Sequence, residues 1–177
     1  MNVFQITFTA ALVALVITGV ILRIVGNPSR SRHRKYVDLG LPSGTLWASD
    51  NEIGLYQWNE AKNLYFKDSL PTPGQFRELI DNCRWEWDEH LKGMTVTGPN
   101  GRELFLPAPG YFTGRAHFDI NLTGCYWTAA TTSINPKSRR PAALSMTFWE
   151  GNRNPEYPCD SDYYLSVRLV KTQQRHA

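Results

Sequence analysis

Three cysteines and four histidines are the side chains of this 177-residue chain best suited to metal binding or nucleophilic chemistry. No two cysteines stand at a CxxC spacing, and the histidines are scattered without a cysteine or carboxylate at ligand spacing. The serines are framed neither by a nucleophile elbow nor by a His/Asp pattern. The sequence therefore predicts no catalytic residue, no metal centre and no cofactor.

The three cysteines have different expected roles. Cys83 falls on the apolar face of a predicted helix, and we expect it to be buried as a small hydrophobic residue. Cys125 and Cys159 leave two alternatives open, which are a disulfide formed in an oxidising compartment and two free thiols.

Polar side chains are concentrated in two predicted loops, at residues 131–141 and 150–162. Oxygen-rich loops of this kind can bind calcium, although a solvated loop has the same composition. Loops displayed on rigid strands commonly carry recognition, so we expect a ligand-binding face here rather than a metal site. The residues predicted to bind the ligand are Arg139, Arg140, Trp149, Asn152, Arg153, Asn154 and Glu156.

The segment from Leu70 to Phe112 contains the clearest signals for regular structure. Thr72 is a favourable N-cap, Pro73 fits the first helical position, and Gln75 completes a capping box. Apolar residues then recur at helical spacing up to Cys83, after which the period changes to that of a strand. The Asn-Gly pair within Gly98–Gly101 predicts a hairpin between two strands.

The remaining elements predict an α+β fold with two helices on small twisted antiparallel sheets. A first helix is expected over Asn59–Phe66, with Ala61, Leu64 and Tyr65 facing inward. Further strands are predicted at 36–40, 45–48, 124–129, 143–149 and 163–171. Five tryptophans are expected to pack inside, and Trp149 either joins the core or stacks on a sugar or protein partner.

The N-terminal region has the composition of a membrane anchor. Residues 1–22 contain no charged side chain, and the twenty residues from Val3 to Leu22 are long enough to span a bilayer. A cleaved signal peptide is disfavoured because no basic n-region precedes the run. We predict a transmembrane helix at 1–26 that contacts the membrane through residues 3–25, a basic linker at 27–35, a globular domain at 36–171 and a tail at 172–177.

The charge distribution argues against nucleic acid as a partner. The net charge is +3, but five of the 19 basic residues and none of the 16 acidic residues precede Tyr36. Residues 36–177 therefore carry 14 basic and 16 acidic groups, a net charge of −2. A domain without a basic surface lacks the electrostatic contacts that nucleic-acid binding requires.

Five motifs in order resemble the Fibrobacter succinogenes major domain family, which occurs in envelope and secreted proteins of Bacteroidetes. They are YVDLGLPSGTLWA (36–48), LPTPGQFRELIDNCRWEW (70–87), VTGPNGRELFLPAPGY (96–111), CYWTAA (125–130) and YYLSVRLVK (163–171). The resemblance covers residues 36–171 and implies a C-type-lectin-like fold, similar to that of formylglycine-generating enzymes. The copper chemistry of those enzymes needs two nearby cysteines, and Cys125 and Cys159 do not fall on a matching motif.

The resemblance implies a non-enzymatic binding module that is tethered to the membrane and recognises a glycan or a protein. A structural or adhesive surface subunit is one alternative, and a receptor-binding protein diversified by a retroelement is another. The resemblance implies a domain in the cell envelope, outside the cytoplasm. The basic residues that follow the apolar run favour the opposite orientation, because positive charges are retained on the cytoplasmic side.

Overall fold

The computed structural model describes residues 34–65 and 70–172. The predicted transmembrane helix at 1–26 lies outside the described residues, as do residues 27–33 of the linker and 173–177 of the tail. Within the described residues, no helix has both the length and the apolar character needed to cross a membrane.

Two helices and eleven strands are present in the described residues. The helices are α1 (Trp58–Tyr65) and α2 (Pro73–Asn82). The strands are β1 (Tyr36–Asp38), β2 (Thr45–Ala48), β3 (Arg84–Asp88), β4 (Gly93–Thr97), β5 (Glu103–Pro107), β6 (Tyr111–Phe112), β7 (His117–Phe118), β8 (Gly124–Thr132), β9 (Ala142–Trp149), β10 (Asn152–Asp160) and β11 (Val170–Thr172).

The strands form small antiparallel sheets with the orders β1-β2-β11, β3-β4-β5 and β10-β9-β8, together with the two-stranded ribbon β6-β7. The chain begins in the first sheet and returns to it through β11, which pairs with β2. The predicted α+β class with two helices and small antiparallel sheets is confirmed.

Helix α2 begins and ends where its sequence indicates. Both hydrogen bonds of the capping box between Thr72 and Gln75 are present, and Pro73 occupies the first turn. Cys83 ends the helix in an extended conformation while its N–H donates to the Leu79 carbonyl at 3.1 Å. Cys83 is half-buried at this C-cap rather than fully buried.

The β4–β5 hairpin also forms at the predicted residues and is tied to the first sheet. Gly101 adopts a positive φ of 79°, which the Asn-Gly pair supplies without strain. The side-chain amide of Asn100 donates to the carbonyl of Asp38 at 2.8 Å, next to the end of β1. A local turn signal therefore also fixes a long-range contact.

Two hydrophobic clusters make up the core. In the first, Trp47 and Phe76 have ring centroids 5.0 Å apart. In the second, the indole N–H of Trp127 donates to the Tyr56 carbonyl at 2.6 Å, and that of Trp58 donates to the Thr128 carbonyl at 3.0 Å. Trp127 thus connects β8 to a loop, and Trp58 connects α1 to β8, by hydrogen bonds as well as by packing.

Three predictions about elements were wrong. Leu64 was expected to face inward but is 46% exposed, because the short α1 buries only Trp58 and Ala61. The predicted strand at 163–171 is regular only from Val170, and its earlier part makes isolated bridges to β6, to β8 and to Tyr56. The predicted polar loop at 150–162 is a turn at residues 150–151 followed by the strand β10.

Arg168 connects three sheets from inside the core, where it is only 1% exposed. Its Nη1 donates to the Ala48 carbonyl at 2.9 Å, and its Nη2 donates to the Phe105 carbonyl at 2.8 Å. Burial lowers the pKa of this guanidinium, while the adjacent Tyr126 and the charge of Asp50 favour its protonated form. An arginine remains charged even when its pKa is lowered, so the carbonyl oxygens must solvate it.

Replacing Arg168 with Ala removes the donors to two carbonyl groups in the interior. A buried acceptor left without a donor costs about 1–3 kcal/mol, so we expect the free energy of unfolding to fall by about 3 kcal/mol. Chemical denaturation of the full chain in detergent measures this change. The exposed Arg102 is the matched control, and Arg102→Ala should change stability by less than about 0.5 kcal/mol. Equal effects of the two substitutions would contradict the assigned role of Arg168.

Candidate functional site

The structure does not bring the seven predicted ligand-binding residues together. Arg139 and Arg140 precede the start of β9, whereas Trp149 ends it. Seven steps of about 3.3 Å along this strand separate its ends by about 23 Å. The predicted single face is therefore two separate regions at opposite ends of the β9–β10 hairpin.

At the first end, Arg140 holds a loop in place. The carboxylate of Asp160 is almost fully buried and accepts hydrogen bonds from Asn135 at 2.6 Å and from Ser138 at 2.5 Å. Arg140 lies 3.4 Å from Asp160 and also pairs with Asp162. Since both carboxylates of this pairing belong to the protein, the structure gives Arg140 a scaffolding role. Arg139 is exposed in the same loop with a positive φ.

At the second end, the predicted residues divide between the two faces of the hairpin. Trp149 pairs across the strands with Asn152, and Phe148 pairs with Arg153. Because successive residues of a strand point to opposite faces, Trp149 and Asn152 share one face, and Arg153 lies on the other. The Arg153 guanidinium lies over the Trp85 ring at 5.2 Å.

Asn154 and Glu156 lie at an irregularity in β10, where the pairing register with β9 shifts. The side-chain oxygen of Asn154 accepts the backbone N–H of Glu156 at 2.9 Å. Glu156 forms an exposed ion pair with Arg77 of α2 at 3.1 Å. These two residues therefore stabilise the local backbone and its contact with the helix, which limits their availability to a ligand.

A row of exposed apolar residues that sequence reasoning missed begins at the last residue of β7 and continues into its connection to β8. Phe118, Ile120 and Leu122 are 43–64% exposed. The intervening Asp119 and Asn121 adopt positive φ values of 53° and 61°. Asp and Asn accept this left-handed conformation more readily than other residues with side chains, which allows the tight path of this segment.

The backbone of this segment is fixed by hydrogen bonds inside the protein. The N–H of Asn121 donates to the Ala108 carbonyl at 2.8 Å, and those of Leu122 and Thr123 donate to Asp119 at 3.1 Å. The exposed apolar side chains are therefore displayed on a held backbone, which lowers the entropy that binding would cost.

Strand register brings this segment to the same end of the sheet as Trp149. Gly124 pairs with Phe148, so the preceding Thr123 comes opposite Trp149, which is 41% exposed. We call Phe118, Ile120, Leu122 and Trp149 the apolar rim. Exposed apolar residues scattered singly are ordinary, whereas several at one end of a sheet make a candidate interaction surface.

Stacked aromatic rings fix one end of the apolar rim. Tyr111 stacks on Phe118 with centroids 5.5 Å apart, and on Tyr163 with centroids 5.7 Å apart. Burial and nearby carboxylates raise the pKa of both tyrosine hydroxyls, so the stack is uncharged at neutral pH.

The sequence signal that could have identified the exposed segment was the alternation FDINL at 118–122. It has strand-like spacing but includes the turn-forming residues Asp119 and Asn121.

The cysteines offer no reactive thiolate at neutral pH. All three are free, and burial raises the pKa of Cys83 to about 11 and that of Cys125 to about 12. The pKa of Cys159 is also raised, by burial and then by the neighbouring Cys125. Within residues 34–65 and 70–172, no three His, Cys, Asp or Glu side chains converge to hold a metal.

Comparison of the chain with protein-family models, with curated proteins and with solved structures finds no match. The family resemblance inferred from the five sequence motifs therefore stays a prediction. The site must be interpreted from its own geometry, which is that of a rigid apolar surface beside a polar hairpin end.

Gly110 is a sensitive position behind the apolar rim. It has a φ of 73°, and a Cβ there would collide with the carbonyl oxygen of Phe118. We expect Gly110→Ala to displace the 118–122 segment and to destabilise the domain by about 2 kcal/mol. Gly101→Ala is the matched control, because Gly101 also has a positive φ but open space around its Cα. Urea denaturation should show the larger loss for Gly110, and equal losses would refute crowding as the cause.

The buried thiol of Cys125 predicts a loss of stability in alkali. Its pKa rises from an ordinary 9.0 to about 12, so between these values only the unfolded state releases the proton. The stabilisation is complete below pH 9 and is lost as the pH rises to about 12, at about 1.4 kcal/mol per pH unit. Denaturation series for the wild type and Cys125→Ala should show the shallower decline in the variant. Parallel declines would contradict the prediction.

Proposed function

We propose that this protein is a membrane-tethered, non-enzymatic binding module that recognises a protein through the apolar rim. The observation that carries the proposal is the exposure of Phe118, Ile120, Leu122 and Trp149 on a backbone held by internal hydrogen bonds. Burying such side chains against a partner gains about 25 cal/mol for each Å² removed from water.

The composition of the apolar rim favours a protein over a glycan. Three of its four members are Phe, Ile and Leu, which offer no hydrogen bonds to sugar hydroxyl groups. Trp149 and its cross-strand neighbour Asn152 would suit either ligand, since an indole stacks on sugars and is also a frequent hot spot in protein interfaces. A glycan remains the competing ligand and is an arm of the test below.

The proposal also includes a membrane tether and a cellular location, and these two parts rest on the sequence. The uncharged run at residues 3–22 has the length of a membrane span, and its composition supports an anchor through residues 3–25. The sequence resemblance supports a C-type-lectin-like fold and a position in the cell envelope, outside the cytoplasm. The apolar rim would then face partners in the same compartment.

A structural or adhesive surface subunit is the second candidate function, because the same exposed apolar side chains would also be buried in a permanent assembly. An obligate interface is more apolar than a transient one, and four large apolar residues at one sheet end suit both. The two functions differ in solution size, since only the structural subunit would be a stable oligomer in detergent.

A photoreactive amino acid placed at position 120 or 134 in the full chain tests the proposal in cells. Ile120 and Ile134 are both 50% exposed, and Ile134 lies in the loop at the other end of the hairpin. We expect a specific crosslinked protein from position 120 only. Trp149→Ala should weaken its binding, measured with the purified partner, by about 30-fold or more, as at an interface hot spot.

Three outcomes would count against a protein partner at the apolar rim. Equal crosslinks from both positions would show that the surface is not selective. A glycan array that binds the full chain, and loses binding with Trp149→Ala, would transfer the site to a sugar. An oligomer in detergent that dissociates with Ile120→Ser would identify the structural subunit instead.

A further inference from the structure

Arg153 is a half-buried guanidinium with few hydrogen-bond partners. Its Nη2 lies 3.5 Å from the Trp85 carbonyl, which is a long contact, and its buried Nε has no partner. Among residues 34–65 and 70–172, no carboxylate lies within ion-pair distance of it. Burial alone lowers the pKa of this group. Removing a charge from water without a partner is unfavourable, so the arrangement lacks an acceptor.

Other arginines of the domain have closer hydrogen-bond acceptors than Arg153 has. Arg77 and Arg84 each lie within 3.1 Å of a carboxylate, although both are more than half exposed. The fully buried Arg168 donates to two carbonyl groups. Within the described part of the chain, Arg153 is partly buried but has no carboxylate partner, and its one carbonyl contact is the long one at 3.5 Å, whereas Arg168, whose Nε also lacks a partner, makes two carbonyl contacts of 2.8–2.9 Å.

The Trp85 ring, over which the Arg153 guanidinium lies, is itself held in place by two contacts. The indole N–H donates to the Leu79 carbonyl at 3.0 Å, and the ring meets the edge of Phe148 at 6.0 Å. The Arg153 guanidinium lies over this ring at 5.2 Å, and a guanidinium in such a position can still offer its in-plane N–H groups to a planar, bidentate acceptor. A carboxylate has that geometry.

Arg153, which lacks a carboxylate partner among the described residues, lies close in the strand to the apolar rim. Arg153 follows Asn152, the cross-strand partner of Trp149, at the end of the hairpin. A partner that covers this hairpin end would therefore meet Trp149 on one face and Arg153 on the other. Trp and Arg are the residues most enriched at interface hot spots.

We propose that Arg153, held on the Trp85 ring, receives a carboxylate of the protein that docks on the apolar rim. The inference rests on the proposed function and adds a requirement for an acidic side chain or a C-terminus in the partner.

The test uses the full chain in detergent with ¹⁵N-labelled arginine and tryptophan. Sodium acetate and N-acetylglutamate methylamide are titrated against sodium chloride at matched ionic strength. We expect both carboxylates, and not chloride, to shift the Arg153 Nε–Hε and Trp85 indole signals saturably. The Nε–Hε signal of Arg102, an exposed arginine in the β4–β5 hairpin, is the internal control and should not shift.

Arg153→Lys is the conservative variant, because it keeps the positive charge but loses the fork that grips both carboxylate oxygens. We expect it to weaken carboxylate binding at the Trp85 signal about tenfold, with the indole spectrum otherwise retained. Full retention of binding by this variant, equal shifts at Arg102, or no saturable shift at Arg153 would each overturn the inference. Tighter binding of glucuronate than of the glutamate derivative would overturn the protein source of the carboxylate.

The two proposals fail in different ways. If carboxylates do not bind but position 120 crosslinks a partner, the apolar rim is an interface and the role of Arg153 is refuted. If carboxylates bind at Arg153 but position 120 yields no selective partner, the anion site stands without the proposed protein ligand.

Discussion

The buried guanidinium of Arg168 is the interaction on which the arrangement of the sheets depends. It reaches a carbonyl of β2 and another of β5, and it lies beside Tyr126 of β8. A charge in the interior is tolerated only when polar groups surround it, so these strands must approach from three sheets. The segment that carries Arg168 follows Tyr163, which stacks on Tyr111 of the β6–β7 ribbon, and Leu165, which bridges to Tyr56 in the first half of the domain.

The apolar rim also depends on contacts between elements that are far apart in the sequence. Its segment at 118–122 is fixed through Ala108, just after β5, and through the stack of Phe118 on Tyr111, which in turn stacks on Tyr163. Recognition surfaces built on short connections need such support, because their few residues cannot fix their own conformation. Here the support comes from elements distant in sequence, which gives a rigid surface without a long loop.

The most accurate predictions from the sequence were those governed by local chemistry. The capping box at Thr72, the helix that it starts and the Asn-Gly hairpin formed at the predicted residues. The predictions for β10 and for residues 163–171 were wrong because proline, asparagine and alternating apolar residues leave the choice between strand and loop to the neighbouring strands. Of the predicted ligand-binding residues, only Trp149 lies in the apolar rim.

The sequence by itself determined the α+β class, the capped helix, the main hairpin and the absence of a thiol or histidine pattern for catalysis, because residues close in sequence specify those features. Only the tertiary structure decided which faces remain exposed. Phe118, Ile120 and Leu122 are of residue types that usually lie in the core. Arg140 and Glu156 are of types that commonly bind ligands. The tertiary structure leaves the first group exposed and places the second in ion pairs, since burial and ion pairing depend on contacts between residues far apart in the chain.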